Sequence, residues 1–122
     1  GLMQEDHVNS TVKDSKIINN KGNTYISIYK TGGIDGLMVQ DNTILSRIFV
    51  VANRNSGPFP CKNVIIEGNK TPVIILEGIS EEQTNEIKYN ENPGSEKGII
   101  KNFANAILQE NHGYQIIENE EE

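Results

Sequence analysis

The amino-acid sequence predicts an all-β solenoid, in which short strands of successive coils stack on one another. Two observations carry this prediction: the composition and a weak internal repeat. Of the 122 residues, 18 are Ile, 16 are Asn and 11 are Gly. Ile is β-branched and favours strands, whereas Asn and Gly are depleted from strands and tolerate the left-handed conformations of tight turns. We therefore expect many short strands closed by turns, and so many β-branched residues argue against disorder.

The internal repeat consists of five similar segments of six residues. In each segment the first and third residues are apolar, except that the first residue of the first segment is Ser10. Apolar residues two positions apart are typical of a strand with one buried face. Their third residues lie 27, 27, 23 and 27 positions apart, which is the size of one solenoid coil. The sequence thus predicts four to five coils of 23–27 residues. The aligned third residues are Val12, Val39, Ile66, Tyr89 and Ile116.

The same alignment predicts two columns of polar residues at the end of the repeated strand. The sixth positions would form a ladder of stacked side chains, which comprises Ser15, Asn42, Asn69, Asn92 and Asn119. The fifth positions would form an acidic column broken by Gly68, with the carboxylates Asp14, Asp41, Glu91 and Glu118. Stacked carboxylates repel one another, so they are expected either at a solvated edge or with a cation between them. Calcium is the cofactor that this second interpretation allows.

Three stretches resemble coils of the pectate-lyase-like superfamily: 12–20, 39–45 and 63–69. The resemblance covers about residues 8–119 and implies a right-handed parallel β-helix with asparagine ladders. It also implies an extracellular or virion-associated protein that recognises a polysaccharide or other glycan along the outer face of one sheet. Such proteins include polysaccharide lyases, hydrolases, epimerases and phage tailspikes. A non-catalytic structural or adhesin-type solenoid is the alternative, because a coil pattern records packing and not chemistry.

The candidate substrate-binding residues are two arginines and two aromatic residues. Arg47 and Arg54 can clamp a sugar carboxylate bidentately, or pair with an acidic side chain of a neighbouring coil. Tyr29 and Phe59 fall at strand ends or in turns, where an aromatic ring can stack on a sugar. The sequence lacks the paired Asp and the Gly-His-Gly of galacturonan hydrolases, so no catalytic residue is assigned and the choice between enzyme and binding protein stays open.

Two alternative folds compete with the solenoid. A β-sandwich also has short strands, but its strands do not repeat at a regular step. The stretch 98–108 suits an amphipathic helix, and alone it resembles a segment of the C-terminal sheet domain of glucose-fructose-type oxidoreductases. That interpretation would make the chain a fragment without a nucleotide-binding half. The stretch 80–83 fits a helical capping box and predicts a short helical turn.

Charge and individual residues restrict the function classes further. The net charge of −6 argues against a nucleic-acid partner, and no apolar stretch predicts a membrane span. Cys61 is the single cysteine, so it is expected to be a small buried residue outside any intrachain disulfide. Tyr89 and Tyr114 occupy inward places in the repeat, whereas His7 and His112 are expected at the surface.

The two ends of the sequence show no polar cap of the kind that solenoids need. We therefore expect a single β-helix domain over residues 1–122, either as part of a longer β-helix or as one subunit of a homo-oligomer that covers the ends of its coils.

Overall fold

The computed structural model describes residues 2–4, 11–29, 32–54 and 57–118. Within these ranges every regular element is a β-strand, and the strands are short because each crosses only one side of a coil. In chain order the strands are β1 (Leu2–Gln4), β2 (Val12–Ile18), β3 (Lys21–Gly22), β4 (Tyr25–Ile28), β5 (Ile34–Gln40), β6 (Thr43–Ile44), β7 (Arg47–Val51), β8 (Asn53–Arg54), β9 (Gly57–Pro58), β10 (Cys61–Glu67), β11 (Val73–Glu77), β12 (Glu86–Lys88), β13 (Gly98–Phe103), β14 (Ile107–Gln109) and β15 (Tyr114–Ile117).

The strands form a parallel β-solenoid of about four turns, as the sequence predicts. One long sheet has the order β1-β4-β7-β11-β13-β15, and the opposite sheet has the order β14-β12-β10-β5-β2. A narrow third side begins with β3 and β6 and continues through single parallel bridges to Lys70, Glu91 and His112. The antiparallel pair β8–β9 is a small excursion between β7 and β10. Parallel pairing throughout the two long sheets excludes the β-sandwich alternative.

The core is built from columns of apolar side chains that point inward from the two long sheets. In the five-stranded sheet the central column comprises Ile17, Val39, Ile66, Ile87 and Leu108. In the six-stranded sheet the matching column comprises Ile26, Ile48, Ile74 and Ile100, and it continues in register to Ile116, which is 40% exposed. Burial of one such side chain contributes roughly 1.5–3 kcal/mol, so these columns supply the main favourable term for folding. Many of the Ile residues that are so frequent in the sequence therefore lie in the core.

A ladder of asparagines, buried at its three interior rungs, runs along the corner between the five-stranded sheet and the third side. In each interior rung the amide oxygen accepts hydrogen bonds from the backbone N–H and the side-chain amide of the rung on one side. The side-chain amide donates to the next rung and to a strand carbonyl, as Asn69 does to Val39, so all four hydrogen-bonding positions are used. Side chains of successive rungs are 2.9–3.0 Å apart at Nδ2 and Oδ1. The rungs are Asn20, Asn42, Asn69, Asn90 and Asn111.

The structure confirms that a column of asparagine side chains stacks along the solenoid, but some of its members differ from those predicted. Asn42 and Asn69 are rungs as expected, but Asn90 and not Asn92 follows them, and Asn20 replaces Ser15. Asn119 lies outside the described residues, and Asn111 is the last rung seen. The rungs are 22, 27, 21 and 21 residues apart. The nearly constant step expected from the sequence is wrong because the turns between strands differ in length from coil to coil.

The residue before each ladder asparagine bends the chain with a positive φ. Asp41 and Gly68 occupy this column as predicted, with φ of 58° and 71°. Asn and Gly tolerate this conformation most easily, yet Tyr89 and Glu110 adopt it as well. The prediction that Tyr89 points inward is therefore wrong, since its side chain lies at the bend and is 48% exposed. His112 is exposed at the surface as expected, and His7 lies outside the described residues.

The stretch 98–108 is not a helix. Gly98–Phe103 is a strand whose residues alternate between the interior and the outer surface, and a sharp turn at Ala104–Asn105 leads into β14. The stretch 80–83 is a loop in which Ser80 Oγ donates to the Glu82 carbonyl, so the expected helical turn is also absent. Hence no helix in the described ranges has the length and apolarity to cross a membrane.

Gly98 makes room for the last buried aromatic side chain. Tyr114 pairs with Gly98 on the neighbouring strand, and a Cβ at Gly98 would lie 2.3 Å from the Pro72 carbonyl oxygen and 3.1 Å from the Tyr114 ring. The Tyr114 hydroxyl donates a 2.6 Å hydrogen bond to the Thr71 carbonyl. Burial raises the pKa of this phenol. The inward position predicted for Tyr114 is confirmed.

The ladder assignment predicts different costs for two nearby asparagine substitutions. Asn90→Ala removes a buried rung and leaves several partners unsatisfied, so we expect the free energy of unfolding to fall by about 3–5 kcal/mol. Asn92→Ala removes hydrogen bonds at the surface and should cost about 1 kcal/mol. Equilibrium urea denaturation of both variants measures the difference. Equal losses, or a larger loss for Asn92→Ala, would contradict the register described here.

Candidate functional site

The outward residues of the six-stranded sheet form a surface that contains several partly exposed apolar side chains, here called the outer face. One row runs along the solenoid through Tyr25, Arg47, Val73, Ile99 and Gln115. The adjacent row contains Ser27, Phe49, Ile75, Lys101 and Ile117. These positions alternate with the inward core columns, so the backbone of a continuous parallel sheet holds each side chain in place. Exposed apolar surface rimmed by polar groups is typical of binding surfaces.

Arg47 and two aromatic rings form a cluster at one end of the outer face. The Arg47 guanidinium carbon lies 5.0 Å from the centre of the Phe49 ring, within the range of a cation–π contact. The Tyr29 ring lies 5.5 Å from the same Phe49 ring at an angle of 48°. Tyr25 is the register partner of Arg47 on the neighbouring strand and is 36% exposed. The cluster therefore offers a positive planar group beside aromatic surface on a rigid support.

The structure brings together two of the four predicted substrate-binding residues. Arg47 and Tyr29 both contact Phe49 in the cluster. Within the described parts of the chain the Arg47 guanidinium contacts the Phe49 ring, and the alternative pairing with an acidic residue of a neighbouring coil stays a prediction. Phe59 is half-buried and packs against the hydrophobic core beside the turn before β10. Arg54 lies in β8, and its side chain lies outside the described part of the structure.

The four carboxylates proposed for calcium do not share one column. Asp14 lies at a positive-φ break within β2, beside Gly36 of the next coil. Asp41 lies at the bend before the ladder, whereas Glu91 belongs to the third side between Lys70 and His112. Glu118 follows β15 and accepts a 3.0 Å hydrogen bond from the Asn102 amide. The predicted acidic column is wrong for the same reason as the ladder register, namely unequal coil lengths.

No group of three or more His, Cys, Asp or Glu side chains among the described residues is arranged to hold a metal ion. Acidic and basic side chains instead pair locally at the surface, as Lys88 does with Glu86 at 2.6 Å and His112 with Glu110 at 3.3 Å. Calcium binding by the carboxylates named from the sequence stays a prediction.

Tyr25 is one of the aromatic residues that the sequence offers for stacking on a sugar ring, whereas Phe49 is absent from those candidates although the sequence contains a signal for it. Ile48 and Val50 are fully buried, so strand alternation puts Arg47 and Phe49 on the opposite side. Phe49 is therefore recognisable as outward once the strand is assigned. Tyr25 joins the cluster through its pairing with Arg47 across coils 22 residues apart, a register that the expected repeat step does not give.

Cys61 is a buried packing residue at the start of β10. Its side chain is fully inaccessible and stands in register with Ile34, below the close approach of Gly78. Burial raises the pKa of the thiol from 9.0 to about 12. The thiol therefore stays protonated near neutral pH and is a poor nucleophile, since the thiolate is the reactive form.

Comparison with known proteins adds no relative to this geometry. No protein-family model, no curated protein and no solved structure matches the chain.

The buried thiol predicts a loss of stability at alkaline pH. The pKa of Cys61 is about 12 in the folded chain and 9.0 when exposed, so between these values only the unfolded chain loses the proton. The free energy of unfolding should then fall as pH rises above 9, by up to about 1.4 kcal/mol per pH unit from this group. Urea denaturation at several pH values should give a slope that is shallower by one proton in Cys61→Ala. Identical slopes in the two proteins would contradict the burial of a neutral thiol.

Proposed function

We propose that the chain is a carbohydrate-recognising domain and that the glycan lies along the outer face. The observation that carries this proposal is the cluster of Arg47, Phe49 and Tyr29, with Tyr25 beside it in register. Apolar faces of sugar rings pack on aromatic rings, and a planar guanidinium binds a sugar carboxylate or a pair of hydroxyls through parallel hydrogen bonds. Both kinds of contact are available on adjacent strands of one sheet.

The stiffness of the support favours recognition of an extended chain over that of a single sugar. Each strand of the six-stranded sheet is hydrogen-bonded to its neighbours, and the rows of the outer face repeat at the strand spacing of about 4.8 Å. Val73, Ile75 and Ile99 extend the apolar surface beyond the cluster in the direction of the solenoid axis. A linear glycan laid along these rows would contact several coils at once without ordering any loop.

Binding is proposed in preference to catalysis because the carboxylates that catalysis requires are placed elsewhere. None of Asp14, Asp41, Glu91 and Glu118 belongs to the outward rows that carry Arg47. Glu77 does lie on that side, and its Oε2 accepts a 3.3 Å hydrogen bond from the Asn53 amide. One hydrogen-bonded carboxylate does not supply the acid and base pair of a glycoside hydrolase. Membership of the pectate-lyase-like group and an extracellular or virion-associated location are parts of the same proposal.

The proposal predicts that glycan binding depends on the shape as well as the charge of Arg47. On a glycan array that includes uronic-acid polymers, we expect binding by the unmodified chain. For the best glycan, Arg47→Gln should weaken affinity about tenfold, because a charged bidentate contact is lost. Arg47→Lys should also weaken it, since an ammonium keeps the charge but has neither the planar fork nor the stacked contact with Phe49. Isothermal titration calorimetry measures both changes.

Lys16→Gln is the matched control, because it removes one positive charge from an exposed outward position of the opposite sheet. Its affinity should equal that of the unmodified chain. Absence of glycan binding, or equal affinity of Arg47→Gln and the unmodified chain, would leave the structural or adhesin-type alternative. Release of unsaturated uronates, followed by absorbance with and without added calcium, would show that the outer face is catalytic and would overturn the restriction to binding.

A further inference from the structure

A concave site lies at the corner that connects β11 to β12, away from the residues of the outer face. The pocket has a volume of about 400 Å³, within the range of small-molecule sites. One wall comes from the turn into β10 and from β10 itself, and the other comes from the loop that precedes β12. Its lining residues are Pro60, Lys62, Ile79, Ser80, Glu81, Glu82 and Thr84.

The loop that forms one wall is fixed by hydrogen bonds on both sides. At its start, the Ile79 N–H donates to the Phe59 carbonyl and the Ile79 carbonyl accepts from the Cys61 N–H. Near its end, the Thr84 hydroxyl accepts a 3.2 Å hydrogen bond from the Asn63 N–H. The pocket is therefore largely formed before any ligand arrives, which lowers the entropic cost of binding.

A buried asparagine locks the same loop to the interior. The Asn85 amide group donates to the carbonyls of Cys61 and Ala104 and to Ser80 Oγ. Its oxygen accepts a 2.9 Å hydrogen bond from the Val64 N–H. Because Asn85 is fully buried and bonded to three neighbouring coil segments, it positions the loop without occupying the pocket.

The charged groups of the pocket have opposite signs on its two sides. Glu81 and Glu82 are exposed on the loop and form no ion pair in the described parts of the chain. Lys62 stands on β10, and its nearest carboxylate is Asp35 at 3.9 Å, with both side chains well exposed. Such a long, solvated pair holds the ammonium only weakly. Between the two sides lie the apolar surfaces of Pro60 and Ile79, and Ile79 is 45% exposed.

From this arrangement we infer that the pocket binds a small zwitterion with an apolar body, of the size of an amino acid or dipeptide. Its ammonium group lies against Glu81 and Glu82, its carboxylate against Lys62, and its hydrocarbon part against Ile79 and Pro60. A neutral ligand would take water from charged groups without replacing it, which is unfavourable. A ligand with charge of one sign would match one side and be repelled by the other. This inference is independent of glycan binding at the outer face.

The test uses the whole chain and the dipeptide leucylalanine as the probe. Titration followed by the backbone amide signals of Ser80 and Thr84 should give saturable shifts with a dissociation constant of about 1 mM or lower. Blocking one end, as in acetyl-leucylalanine or leucylalanine amide, should weaken binding several-fold, and blocking both ends should abolish it. The combined variant Glu81→Gln and Glu82→Gln should weaken binding of the free dipeptide about tenfold, and Lys62→Gln should weaken it as well.

The matched control is the combined variant Glu96→Gln and Lys97→Gln, which neutralises exposed charges of both signs in a different loop. It should bind the dipeptide like the unmodified chain. No shift at about 10 mM dipeptide would overturn the inference. Equal binding of the doubly blocked dipeptide would overturn it too, because the pocket would then be merely apolar. Unchanged affinity in the Glu81, Glu82 and Lys62 variants would have the same meaning. Preserved ladder amide signals in each variant exclude misfolding as the cause.

Discussion

The stacking of asparagine side chains is the interaction on which the register of this solenoid depends. Each interior rung accepts two hydrogen bonds from one coil and donates to the next coil and to a strand carbonyl, with no polar atom of the side chain left over. A shift of one residue in any coil would bury these amides without partners, at a cost of several kcal/mol. The ladder thereby sets which strand residues face inward. It also sets which residues of neighbouring coils become lateral neighbours on the outer face.

The inward columns and the ladder contribute to stability in different ways. Columns of Ile and Val supply apolar burial, which a one-residue shift would lose but which does not distinguish one inward β-branched residue from the next along the strand. The ladder is sensitive to register but buries little apolar surface. Together they explain how coils of different length stay aligned, with rungs 22, 27 and 21 residues apart. The extra residues of a longer coil form turns outside the stacked strands, whereas the corner that carries the ladder stays the same. The corner pocket lies beside one of these variable turns. The outer face lies on a sheet that the turns leave uncovered.

The two sites use this scaffold in different ways. On the outer face, affinity would come from repeated contacts along a rigid sheet, centred on the guanidinium stacked on Phe49. At the corner pocket, affinity would come from charges of opposite sign held apart by a loop that Asn85 anchors. In both, the functional side chains stand on backbone that is already ordered by the coil stacking. Removal of an exposed side chain at either site is thus expected to change binding while leaving the fold intact.

The sequence by itself determined the class of fold and the main use of its commonest residues. Alternation around Ile48, Ile66 and Val39 required strands with a buried face, and repeated asparagines at strand ends required bends. Cys61 and Tyr114 were correctly assigned to the interior, and Asn42 and Asn69 to the ladder. These features are local, since strand alternation and bend preference depend on a few neighbouring residues.

Only the tertiary structure decided the register between coils, and with it every column of side chains. Asn90 and Asn92 are equally good turn residues in isolation, and Asn20 and Ser15 are both of types that occur in turns. The choice is made by hydrogen bonds to rungs 21 or more residues away, which no local pattern contains. The four predicted carboxylates do not share one column, and Tyr25 lies beside Arg47, for the same physical reason. Lateral neighbours in a solenoid are set by how many residues each turn takes up, and that number differs from one coil to the next.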